Sequence, residues 1–137
     1  MIEKRVWVLI SLMDTQQVAN RLHELCSAGQ YHEAMEELYA DDAKHIEAMA
    51  MPGQDQILEG KPALLKMSEH WGKTNTVHEQ SVGTPLVNGD QFLCQMSMDL
   101  TMGDGPMAGQ RAQMSEWCLY TVADGKIKEA RFFYAPC

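Results

Sequence analysis

The sequence predicts an α+β fold in which helices cover one face of a curved sheet. Two periodicities predict it. Apolar residues recur at three- and four-residue steps early in the chain and at two-residue steps through its C-terminal half. The two patterns are also segregated, whereas a doubly wound parallel sheet alternates strand and helix. A length of 137 residues holds one core. The expected organisation is an ordered extension at 1–13 followed by one domain at 14–137.

In the extension, Glu3, Lys4 and Arg5 precede the apolar run Val6–Met13. That run is too short to span a membrane, and no small-residue cleavage site follows before Asp14, so it is read as neither anchor nor signal peptide. It is expected to bury against its own domain or a second subunit. Asp14 or Thr15 then caps a helix carrying Val18, Leu22, Leu25 and Cys26 and ending at Gly29. A second helix carries Tyr31, Ala34, Met35, Leu38 and Tyr39 and runs into Asp41-Asp42, read as a solvated helix-to-strand turn. Lys44–Met51 alternates as a strand, with His45, Glu47, Met49 and Met51 on one face and Lys44, Ile46, Ala48 and Ala50 on the other. Gly60-Lys61-Pro62 restarts a helix that carries Leu64, Leu65, Met67, Ser68 and Trp71 and ends near Gly72. A meander follows, with strands at about 76–87, 91–102, 110–122 and 126–135 separated by Asn88-Gly89, a Gly103–Gly109 loop and Asp124-Gly125.

Composition excludes several functions. Apolar residues at 45% and charged residues at 22% are an ordinary globular mix. A formal charge of -8 without a Lys/Arg block argues against nucleic acid as a partner. Cys26, Cys94, Cys118 and Cys137 form no CxxC and no His/Cys cluster, so no metal site or disulfide framework is signalled; reduced thiols in a cytoplasmic protein are expected. No serine or cysteine sits in a nucleophile elbow and no glycine pattern suits a phosphate loop, so no cofactor is expected.

The strand faces carry the functional reading. In 91–102 the set Phe92, Cys94, Met96, Met98, Leu100 and Met102 faces the helices. Strand 110–122 is apolar on both faces, with Met114, Glu116, Cys118 and Tyr120 against Trp117 and Leu119. The last strand sets Ala130, Phe132 and Tyr134 against Ile127, Glu129, Arg131 and Phe133. Leu93, Trp117, Leu119, Ile127 and Phe133 should therefore share the outer face as an apolar patch, which predicts a homodimer through that face. Met49, Met96, Met98 and Met114, with Trp71 and Tyr134, are placed to line a flexible apolar cavity, or else to pack a core. The cavity is favoured because Glu47 and Glu116 share the inner faces, where an unpaired charge costs several kcal/mol or forces a raised pKa. His45 lies two residues from Glu47, about 7 Å along a strand, within reach of direct or water-mediated coupling. The other reading of that pair is a polar plug.

Four segments together resemble the SnoaL-like branch of the nuclear transport factor 2 superfamily: Leu38–Ala43, Gly60–Leu64, Val87–Asp90, and Tyr120–Ile127 with Phe132–Tyr134. The likeness spans roughly residues 14 to 134. It implies a cystatin-like cone, a strongly curved antiparallel sheet wrapped around three N-terminal helices with a pocket at the wide end. Relatives include polyketide cyclases, ketosteroid isomerase, dehydratases and epoxide hydrolases, so the fold leaves the activity open. By this resemblance Glu47 stands where ketosteroid isomerase keeps its proton-abstracting aspartate, and Glu116 where that enzyme keeps a protonated aspartic acid. His23 occupies the place of its oxyanion-binding tyrosine, so steroid isomerisation itself is not implied. The epoxide hydrolase arrangement of two aspartates bridged by arginine finds no counterpart, since Arg131 is predicted on the outer face.

The expected function is binding of a small, mainly apolar molecule, with cofactor-free isomerase, cyclase or dehydratase chemistry on a carbonyl compound. Glu47 would be the base and Glu116, His23 and His45 the donors. The alternative is a non-catalytic ligand-binding or dimeric assembly module of the same fold.

Overall fold

The computed structural model describes residues 12–50 and 53–135. Helix α1, Thr15–Ser27, starts at a capping box in which the Asp14 side chain accepts from the Gln17 amide and the Gln17 side chain accepts from the Asp14 amide. Helix α2, Tyr31–Leu38, passes without a turn into β1, Tyr39–Ile46, because Tyr39 both ends the helix and takes extended backbone angles. The short β2, Ile57–Glu59, precedes α3, Lys61–Thr74. Then follow β3 Thr76–Val82, β4 Leu86–Asn88, β5 Gln91–Thr101, β6 Arg111–Ala123 and β7 Lys126–Phe133.

The strands form one unclosed sheet in the order β2-β1-β7-β6-β5-β3, with β4 also on β5. The predicted α+β class and curved sheet stand, with two amendments. The sheet is mixed, since β1 runs parallel to β7 while the other pairs are antiparallel. These two strands are distant in sequence, so no hairpin constrains their direction. The third helix is also not N-terminal to the sheet but follows two of its strands.

Other sequence expectations shift locally. The strand expected at 44–51 begins five residues earlier, at Tyr39, and ends at Ile46; the expected position of Met51 lies outside the described residues. Asp41-Asp42 is an exposed part of β1 rather than a turn, and Asp42 pairs with Lys128 at 2.7 Å. The segment 76–87 is two strands, broken where the Gly83 amide turns to the Gln95 carbonyl at 2.7 Å. The expected burial of Val6–Met13 falls largely on residues 1–11, which are outside the described set.

The core lies between the helices and the concave face. Val18, Leu22, Leu25 and Cys26 of α1 and Ala34 and Leu38 of α2 meet Phe92 and Cys94 of β5, Cys118, Tyr120 and Val122 of β6, and Ala130 and Phe132 of β7. Ile127, expected on the outer face, is fully buried here. β7 carries one extra residue, Lys128, between the pairs Val122↔Ile127 and Thr121↔Glu129. Such a bulge reverses the facing of every residue before it.

Candidate functional site

The register lays the concave face out in rows. Phe92, Tyr120 and Ala130 form the floor, with His45 opposite Ala130; Cys94, Cys118 and Phe132 come next. One step towards the rim lie Val82, Met96 and Glu116, and beyond them Gln80, Met98 and Met114. Glu47 stands just past the end of β1 and Tyr134 just past the end of β7. β1 and β7 are adjacent parallel strands, so these two residues leave the sheet side by side. The Tyr134 hydroxyl donates to Glu47 Oε2 at 3.0 Å.

The two carboxylates experience different surroundings. Burial raises the pKa of Glu47, and the Tyr134 hydrogen bond opposes the rise. Burial pushes Glu116 further, up to about 7, with the nearby Glu47 charge adding to the effect and a hydrogen bond from the Cys118 thiol opposing it. That bond runs from Cys118 Sγ to Glu116 Oε1 at 3.6 Å. Glu47 therefore ionises first, and Glu116 keeps a proton into the neutral range. Tyr134 is pushed up to about 12, first by burial and then by the Glu47 charge, so it remains a donor.

A third group carries no such signal in the sequence. Tyr31, at the start of α2, has a buried hydroxyl with no hydrogen-bond partner among the described residues. Its pKa is raised, first by burial and then by the charges of Cys26, Cys118 and Glu116. The spacing of Tyr31 on its helix reads as an ordinary core stripe; only the aromatic hydroxyl hints at more.

Tyr31 also lines a groove of about 570 Å³ between the start of α2, the end of α3 and β3, together with His32, Ser68, Trp71, His78 and Gln80. Its described lining includes Glu33 and Glu79 and carries no Lys or Arg. Neither catalytic candidate carboxylate lines this groove; within its lining, the Tyr31 hydroxyl feels the Glu116 charge but makes no hydrogen bond to it.

The remaining predicted residues divide. Met96 is buried beside Glu116, Met98 is half-buried, and Met114 is exposed at the rim. Met49 is half-buried beyond β1, and Trp71 is half-open on the groove. His23 is tied elsewhere: its Nε2 donates to the Val82 carbonyl at 3.1 Å, holding α1 against the edge strand. His45 is only 4% exposed, shares a 2.8 Å hydrogen bond with the Tyr39 hydroxyl and packs edge-on against Phe132. Burial pushes its pKa down to about 4, so it is neutral at physiological pH, and its expected coupling to Glu47 gives way to a place in the core. Alternation correctly puts His45 on the concave side but does not tell core depth from rim. Among the described residues, no group of three His, Cys, Asp or Glu side chains is arranged to hold a metal ion. No helix there is long and apolar enough to cross a membrane.

Comparison with known proteins agrees with this architecture. The model of the SnoaL-like domain matches residues 13–134. The chain belongs to the SnoaL-like family. Within the family's solved structures, this SnoaL-like chain is similar to a Mesorhizobium loti protein whose name places it among SnoaL-like polyketide cyclases and carbohydrate phosphatases. The two share 39% identity and a TM-score of 0.81 over 89% of this chain and 100% of that one. A Bacillus subtilis protein named as an isomerase is 16% identical with a TM-score of 0.69, over 89% of this chain and 86% of that one. A Xanthomonas campestris protein described by its cystatin-like fold is 20% identical with a TM-score of 0.66, over 90% and 92%. These two show the fold alone. No curated protein sequence matches the chain.

Proposed function

We propose that the protein binds an uncharged, mainly apolar carbonyl compound and moves a proton on the carbon next to its carbonyl without a cofactor, as in isomerisation, cyclisation or dehydration. The observation that carries this reading is the pair of concave-face carboxylates whose surroundings drive their proton affinities apart. In an isomerisation, the ionised Glu47, oriented by Tyr134, takes the proton as the C–H bond breaks. The electron pair passes to the carbonyl oxygen, which accepts hydrogen bonds from the Tyr31 hydroxyl and the protonated Glu116. Return of the proton from Glu47 to another carbon closes the cycle and restores the carboxylate. Donors pre-aimed at a developing oxyanion act most strongly where water is excluded. The acidic groove lining supports an uncharged ligand, since an anion would meet Glu33 and Glu79 with no Lys or Arg in the described lining to offset them. The direct test is exchange of α-protons of cyclic ketones and enones in D₂O, followed by NMR. Exchange with the native protein and none with Glu47→Gln supports the reading; equal exchange by both removes it.

Tyr31→Phe separates catalysis from stability. It removes a buried hydroxyl that has no partner among the described residues, so the melting temperature is expected to rise, by an amount equivalent to about 1 kcal/mol. Exchange is expected to slow at least about tenfold, through loss of an oxyanion donor. A variant that is both less stable and equally active would rule out this role for Tyr31.

A second reading, a ligand-holding module without turnover, is favoured by one observation: the 570 Å³ groove contains neither carboxylate. Saturable ketone binding without exchange would select it. In both readings the outer face pairs two copies, because Trp117 and Phe133 are register partners there and stay 44% and 47% exposed, with Leu86 and Leu93 alongside. Light scattering is expected to give twice the chain mass at micromolar concentration; a monomer would remove the dimer.

A further inference from the structure

We propose that Cys118 is a positioning residue for Glu116: its thiol donates to Oε1, so that the acid carries its proton on Oε2, the oxygen left free to donate to a substrate. The inference rests on the reading of Glu116 as the acid. Glu116 and Cys118 are two residues apart on β6 and so share the concave face. Cys118 is fully buried and lies directly across from Cys94 of β5, itself 1% exposed. Its thiol has two acceptors in reach, the Cys94 sulfur and Glu116 Oε1. Both acceptors can ionise, but a carboxylate oxygen accepts more strongly than a thiol sulfur, and a hydrogen bond to an ionised acceptor is the stronger one. The contact therefore favours the ionised form of Glu116 and works against burial and the charge of Glu47.

The other titratable groups around Glu116 are accounted for. Glu47 beyond β1 raises its pKa; Tyr31 of α2, Tyr134 beyond β7 and Tyr39 of β1 feel its charge and are all held protonated. Cys94 of β5 feels it too, while the hydrogen bond from Cys118 lowers the Cys94 pKa. The Cys118 thiol itself is held protonated by its bond to Cys94, by burial and by Glu116, so it is a donor throughout the working range and not a nucleophile. What it supplies is a midpoint for Glu116 close to neutrality, where an acid both holds and releases a proton. Without the thiol, burial would keep Glu116 protonated to higher pH and leave its two oxygens equivalent.

The test is a ¹³C NMR titration of the Glu116 side-chain carboxyl in the native protein, Cys118→Ala and Cys118→Ser, with Glu116→Gln to assign the resonance. Cys118→Ala is expected to raise the midpoint by about 0.5–1 pH unit, and Cys118→Ser, which restores a donor, to bring it back to or below the native value. Cys94→Ala opens a similar cavity one strand away and is expected not to raise it. A purely structural role would lower the melting temperature of all three variants without separating Ala from Ser in the titration. A Cys118→Ala midpoint within about 0.2 unit of native, or a rise in Cys118→Ser as large as in Cys118→Ala, overturns the proposal. If Cys118→Ala does not fold, Cys118→Ser decides, a rise above native overturning it and a fall supporting it. No substrate enters the titration, so an absence of turnover counts against the proposed reaction and not against the thiol contact.

Discussion

Glu47→Gln is expected to slow turnover by about a hundredfold or more, with ligand affinity changed by less than about threefold. The amide keeps the shape of the carboxylate and can still accept from Tyr134, whose hydroxyl reaches Glu47 Oε2 at 3.0 Å in the native protein. It cannot take a proton from carbon. Burial raises the Glu47 pKa, so the native carboxylate is a stronger base than a solvated one, and the variant loses that as well. Single-turnover rates and ligand titrations on the same preparation separate the two effects. A variant that keeps its rate would sink the mechanism. One that loses several degrees of melting temperature together with its rate would identify Glu47 as a structural plug, held for its hydrogen bond.

The second large effect concerns pH. Glu116 titrates at about 7 in the fold against 4.5 as a free side chain, first because of burial and then because of the Glu47 charge. A carboxyl with a raised folded pKa binds its proton more tightly in the folded state. Its contribution to stability is therefore complete below about pH 4.5 and is lost as pH rises through 7, a change on the order of 3 kcal/mol. Glu47, also raised, acts with the same sign. Buried His45, held down at about 4 against 6.5 when free, acts with the opposite sign below about pH 6.5, so the fall from pH 5 to pH 8 should be read in thermal melts as the stability of the native protein relative to Glu116→Gln. Glu116→Gln, permanently neutral, lacks that fall and should be the more stable protein at pH 8. Its rate should drop at least about tenfold, because an amide N–H is a weaker donor than a carboxylic acid and cannot follow the proton. The native pH-rate profile should be a bell, rising as Glu47 ionises and descending near 7 as Glu116 does; the variant keeps the rise and loses the descent. A native-minus-Glu116→Gln stability difference that does not change between pH 5 and 8 would contradict the raised Glu116 pKa.

The face that Glu116 shares is legible in the amino-acid order alone. Glu116, Cys118 and Tyr120 fall on one face of β6, and Phe92, Cys94 and Met96 on one face of β5, because side chains of any extended chain alternate whatever lies opposite. The helices are equally readable, since Asp14, Val18, Leu22 and Gly29 specify start, face and stop through contacts within a few residues of each other. The outer-face patch is right for Trp117 and Phe133, which follow plain alternation, and wrong for Ile127, which lies on the far side of a bulge that alternation does not foresee.

Depth and company come only with the fold. His45 and Glu47 share a strand face in the sequence pattern, yet the end of β1 separates them, leaving His45 against Tyr39 and Phe132 and Glu47 against Tyr134. Tyr31 is one more stripe residue until the fold closes its hydroxyl in, with no partner among the described residues. The difference is one of range. Periodicity and capping depend on neighbours a few bonds away and so are written locally. Desolvation, charge coupling and an unsatisfied hydroxyl depend on which distant segment arrives opposite, and that is settled when β1, β6 and β7 come together in one sheet.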